Sequence, residues 1–120
     1  MSFLFVFLGG GLGSLGRYGT GLLAKHFFGA GFPLGTLAVN LLGCFAIGFL
    51  TAKFGKIAPS EELRNFLIAG MMGGFTTFSA FGLDSLLLFR EGSLHFAILN
   101  VVLNVCLGLL LVWTGFAIAK

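Results

Sequence analysis

The side chains in this chain that could handle a ligand are neutral hydrogen-bond donors placed where water is scarce. Asn40, Thr76, Thr77 and Ser79 lie inside long apolar stretches, and Arg17 is the one base embedded in such a stretch. An amide offers two N–H donors and a hydroxyl one O–H. An unpaired ion in a dry medium is very costly, so several weak donors must together replace its water. No acid occurs in the first two apolar stretches, and Asp84 is the only one well inside the third. Cation pathways carry acidic residues, whereas anion pathways use Arg, Lys and neutral donors. The pattern therefore points to a small anion. Phe75, Phe78 and Phe81 stand among these donors, and the edge of each ring is the positive end of its quadrupole. An anion can lie against such an edge without being trapped by a full charge. Weak donors suit passage, because a conducting site must bind well enough to admit an ion and loosely enough to release it. With 16 Phe in the chain, most must serve packing alone.

Most of these groups fall in one stretch, Gly70–Phe81, GMMGGFTTFSAF. A span built only to sit in lipid would be mostly Leu, Ile and Val. Gly73-Gly74 would let the backbone leave helical geometry. Non-helical backbone at membrane depth is tolerated only where protein covers it or where it lines a polar cavity. The stretch therefore reads as a broken membrane helix at a site. A glycine-rich packing face with its hydroxyls bonded back to their own helix is the plainer alternative. Elsewhere, Thr36, Asn40 and Gly43 share one helix face, and Asn100, Asn104 and Gly108 share another. Asn40, deep in its span, reads as functional. Asn100, nearer a span end, reads as an interhelical bond.

Other chemistries find little support. No nucleophile–base pair and no metal-ligand spacing occur, so no enzyme is expected. His26 and His95 fall at span ends, and Cys44 and Cys106 read as small buried apolar residues. Gly11–Gly16 fits GxGxxG, but no acid follows about 20 positions on, and the surroundings are a membrane span rather than a βαβ unit. Helix packing accounts for it better. The net charge of +3 is too small and scattered for nucleic acid. A drug–proton exchanger would need an acid at mid-membrane, which the first span lacks.

These residues must be positioned by membrane helices. The chain of 120 residues is 58% hydrophobic and only 9% charged, against about 25% charged in soluble domains. It reads as one all-α integral membrane domain, 1–120. Its four spans lie at about 3–28, 34–52, 63–89 and 94–119, with the third broken near mid-membrane. Each meets the roughly 20 residues that cross a bilayer. Ser60 is placed to cap the third helix, with Glu61 and Glu62 in its first turn. No Lys or Arg precedes the first apolar run, so Met1 onward reads as mature protein and the first span as permanent.

An even number of spans puts both termini on one side, with Lys53, Lys56, Arg64 and Lys120; Lys25 and Arg90 lie on the other. The lean toward cytoplasmic termini is slight. Insertion both ways round, and hence an antiparallel homodimer, stands beside a single orientation. Four short helices scarcely enclose a solvated path, and no internal repeat supplies a second half, so two copies are the economical arrangement. Gly9/Gly13 and Gly70/Gly74 offer close-packing faces.

Over nearly its whole length the chain resembles the small four-helix fluoride channels of the Fluc or CrcB family. Three blocks carry the resemblance: GGGLGSLGRY (Gly9–Tyr18), GTLAVNLLGCFAIG (Gly35–Gly48) and GMMGGFTTFSAF (Gly70–Phe81). The resemblance implies a dual-topology antiparallel homodimer with two fluoride pores, in the plasma membrane of a prokaryote (the inner membrane if Gram-negative). It implies passive export that lowers cytoplasmic fluoride. Asn40 matches the pore asparagine that donates to fluoride, and Phe78 and Phe81 match the paired pore phenylalanines. Thr77 and Ser79 would continue the anion track, and Arg17 matches the first-helix arginine of a vestibule. Gly73 and Thr76 would lend backbone carbonyls to a structural sodium ion at the dimer centre. The chain departs from the family pattern at Ala80, where a second hydroxyl is usual, and at Asp84, where glutamate is common.

Overall fold

A computed structural model describes Met1–Lys120 as helices throughout. The first is α1, Ser2–Phe28, and the second α2, Leu34–Ile57. A third helical rod is assembled from α3 (Glu61–Arg64), a π-helical stretch (Asn65–Met72), α4 (Gly73–Phe75) and α5 (Phe78–Arg90). A fourth is assembled from α6 (Leu94–Val102), a second π-helical stretch (Leu103–Leu107) and α7 (Gly108–Ala119). Leu34–Ile57, Glu61–Arg90 and Leu94–Ala119 are long and apolar enough to cross a membrane. α1 has 27 residues, but its glycines and Arg17 dilute its apolar character. The molecule is 48 Å long, close to the roughly 40–45 Å of a bilayer with its headgroups.

Local chemistry sets the joints. Gly29 ends α1 at φ 75°, and Gly92 turns the chain between α5 and α6 at φ 84°. Ser60 Oγ accepts from the Leu63 N–H at 3.2 Å, capping α3 as its sequence position predicts. α2 runs on to Ile57 rather than stopping near Ala52, and Ala58 ends it in the left-handed region at φ 46°. Lys53 and Lys56 therefore ride the last turns of a helix instead of forming a polar joint. Such stems can lie along apolar surface while the ammonium reaches the interface, and Lys53 Nζ sits 5.9 Å from the Phe49 ring.

Glycine sets where the helices come closest. A Cβ on Gly9 or Gly13 would run into the carbonyls of Phe66 and Met71, and one on Gly70 would lie 2.8 Å from Val6 O. Gly74 meets Gly10 in the same way. The two small-residue pairs thus face each other inside one chain, pressing α1 against the third rod. Gly48 and Gly115 do the same between α2 and α7, against Val112 and Phe45. Within GxGxxG, Gly13 and Gly16 pack against the third rod, while Gly11 meets nothing.

Few residues are enclosed: 16 of 120 are buried, and large apolar side chains such as Phe3, Phe7, Leu109 and Trp113 cover the outside. An exposed apolar surface of this extent requires lipid or protein around it. Cys106 lies on that outer surface rather than buried, whereas Cys44 is half-buried beside Gly108.

Candidate functional site

The third rod breaks at Thr76 and Thr77. Both are extended, at φ −88°, ψ 157° and φ −151°, ψ 122°. Gly73, by contrast, keeps helical angles of φ −62°, ψ −38°. The break therefore does not use the Gly73-Gly74 pair for its geometry, and the role of Gly74 is the close contact with α1. What holds the two threonines extended is a set of substitute hydrogen bonds. Thr77 N–H donates to Asn40 Oδ1 at 2.8 Å, and Asn40 Nδ2 donates back to Thr77 O at 3.1 Å. One amide side chain from α2 thus pairs with both polar groups of one backbone residue. Thr77 Oγ1 accepts from Ala80 N–H at 3.2 Å and so caps α5. Thr76 Oγ1 donates to Met72 O at 2.9 Å. Gly43 makes room for the break, since a Cβ there would overlap the Thr76 methyl.

These diversions have an electrostatic result. In an unbroken helix Thr77 N–H would go to Gly73 O, and Ala80 N–H to Thr76 O. Here both are given to side-chain oxygens, so the carbonyls of Gly73 and Thr76 lose their usual partners. Gly74 O is satisfied differently, by Arg17 Nε from α1 at 3.0 Å. A guanidinium at the C-terminal end of a half-helix complements the negative end of its dipole.

A cavity of about 260 Å³ opens at the break. Asn40, Thr76, Thr77, Phe78 and Phe81 line it together with Asn104. Phe78 and Phe81 meet edge to face with centroids 5.3 Å apart. Phe81 is buried, but Phe78 is 81% exposed. Ser79 lies on the outer side, its hydroxyl 3.3 Å from that of Thr77. Arg17 stands on the α1 side of the break, outside the cavity lining. Of the expected residues, then, Asn40, Thr76, Thr77, Phe78 and Phe81 share one space, while Ser79, Gly73 and Arg17 flank it. Sequence reasoning gave Asn104 no role at this place. The signal available was its spacing with Asn100 and Gly108, which marks a helix face but not what that face meets.

Asp84 sits apart, with Lys25, Thr36 and Glu91, around a second cavity of about 270 Å³ near the α1–α2 joint. Its Oδ2 is buried without a hydrogen-bond partner.

Residues 4–116 match the family described as CrcB-like protein, Camphor Resistance (CrcB). A protein of Shewanella halifaxensis named fluoride-specific ion channel FluC is 48% identical over 113 residues, which cover 93% of this chain and 90% of the relative. Proteins with the same name from Methylobacillus flagellatus and Solibacter usitatus are 43% and 41% identical, covering 98% and 100% of this chain and 93% and 99% of theirs. With the match running almost end to end, the chain belongs to the CrcB family.

Proposed function

We propose that this protein is a fluoride-specific passive channel and not an enzyme, a multi-pass protein of a prokaryotic plasma membrane. The observation that carries the reading is the cavity at the helix break, where Asn40 and two phenylalanine rings meet and no carboxylate is present. Relatives covered almost end to end bear the name fluoride-specific ion channel FluC. Fluoride would pass along Asn40, Thr77 and Ser79, with Phe78 and Phe81 offering ring edges; Arg17 holds the break beside this path. An interior negative by 100 mV drives an anion outward with about 2.3 kcal/mol per charge, so no coupled proton or fuel is needed.

The working form would be an antiparallel homodimer of four-span chains, set in lipid. At about 1.5 Å per residue, α1 is long enough to be the fourth span. The exposure of Phe78 supports a second copy, because a ring meant to line a path is open on one side in a single chain. A structural sodium ion fits the residues present. Gly73 O and Thr76 O are oxygens released from helical bonding, and unwound backbone carbonyls are suited to that ion. One chain offers only these two, so the same pair from a second copy would be needed. The bound ion would neutralise the converging carbonyl dipoles.

Liposomes carrying purified protein, with voltage set by potassium and valinomycin, test this reading with a fluoride electrode. Fast fluoride efflux with little chloride release is expected. No fluoride release from dimeric protein would move the reading to a non-transporting assembly subunit. Replacing sodium on both sides with N-methyl-D-glucamine should reduce the efflux severalfold, and undiminished efflux would remove sodium from the account.

A further inference from the structure

We propose that Asn104 is the resting acceptor of the Asn40 site: its Oδ1 occupies the N–H that an arriving fluoride would take, and yields it to the ion. The proposal rests on the fluoride reading. Asn40 has no donor to spare. Its Nδ2 donates to Thr77 O and, at 2.9 Å, to Asn104 Oδ1, while its Oδ1 accepts from Thr77 N–H. An anion bound by this amide must displace one of these partners. Displacing Thr77 would undo the pairing that holds the break open. Displacing Asn104 breaks a single neutral bond, and Asn104 stays anchored through its Nδ2, which donates to Asn100 O at 2.8 Å and Asn100 Oδ1 at 3.0 Å. Both Asn40 and Asn104 line the cavity, so the exchange can occur where the ion would sit.

Asn104 belongs to a row of bonds that all run in one direction. Asn40 donates to Asn104, Asn104 to Asn100, Asn100 Nδ2 to Ser85 Oγ at 3.0 Å, and Ser85 Oγ to Phe81 O at 2.9 Å. Bonds aligned in this way polarise one another. Asn100 is wholly buried, which fixes the middle of the row. Asn104 itself stands in the π-helical stretch Leu103–Leu107, a geometry frequent at functional sites. The arrangement does two things. Between ions, the Asn40 N–H is never left unsatisfied, which would be costly. When an ion binds, a charge-assisted bond replaces a neutral one, so the net gain is smaller than for a vacant donor. Binding is thereby kept loose enough for release.

The test is the fluoride concentration dependence of initial efflux in liposomes for the wild type, Asn104→Ala and Asn104→Leu. With the competing acceptor gone, the half-saturating concentration should fall about fivefold, the equivalent of one ordinary hydrogen bond. A half-saturating concentration that is unchanged or raised, with a lower maximal rate, would show a purely packing role and overturn the proposal. Should either variant fail to fold, the wild type answers alone. With only four asparagines in the chain, side-chain amide resonances of asparagine-labelled protein can be followed as sodium fluoride is added. The Asn40 and Asn104 signals should move together while Asn65 stays fixed. Movement of Asn40 without Asn104 would overturn the proposal. Wild-type protein that passes no fluoride and shows no shift would instead bring down the channel reading itself.

Discussion

Replacing Asn40 with alanine should lower fluoride efflux by roughly ten- to a hundredfold, because a hydrogen bond to a charged partner is worth about 1.5–3 kcal/mol and each 1.4 kcal/mol is a factor of ten. Two losses combine here. The ion loses its amide donor, and the break loses the side chain that pairs with both polar groups of Thr77. Asn40→Asp separates them. The carboxylate has nearly the same shape and still accepts from Thr77 N–H, but it cannot donate to Thr77 O and it repels an anion. If donation to the ion is what matters, Asn40→Asp should be at least as inactive as Asn40→Ala. If the clamp alone matters, Asn40→Asp should recover part of the flux. Unchanged flux in purified, dimeric Asn40→Ala would remove this residue from the pathway.

The second large effect should come from Gly13→Val. A Cβ on Gly13 would overlap the Met71 carbonyl and lie 2.8 Å from Phe75 N, and these are backbone atoms that cannot rotate aside. Overpacking costs about 1–3 kcal/mol when neighbouring side chains can adjust, so a clash with backbone should reach the upper end or beyond. α1 would be forced off the third rod close to the break. A collapse in the yield of monodisperse protein is expected, with a lower melting midpoint in whatever remains. Gly11→Ala is the control. Its Cβ meets nothing within 4 Å, and alanine favours a helix over glycine by about 0.5–1 kcal/mol. Its yield should match or exceed the wild type. Equal damage from both substitutions would show that glycine at these positions matters for something other than closeness.

How far the sequence could be read differs between the site and its framework. The helix ends near Phe28 and Phe89–Arg90 follow from glycine, charge and length, and α2 overran its expected end because lysine stems tolerate a helix end at the interface. That Asn40, Phe78 and Phe81 belong together was legible from residue type and family resemblance. That the third span breaks within Gly70–Phe81 was legible as well, but which residues make the break was not. Glycine signals both backbone freedom and close contact, and only the fold reveals that Gly74 serves the second while two threonines make the first. Asn104 was missed for a related reason. Its bond to Asn40 spans 64 positions of chain, and nothing in local spacing links the two.

The glycine contacts also bear on how the chain comes to be assembled in the bilayer. The intimate pairings interleave, first helix with third rod and second helix with fourth. Within the first half of the chain the one close glycine contact is Gly35 against Gly21. A nascent chain must therefore keep most of the glycine faces of α1 and α2 open until the third and fourth rods have been made, and Gly48 waits for α7.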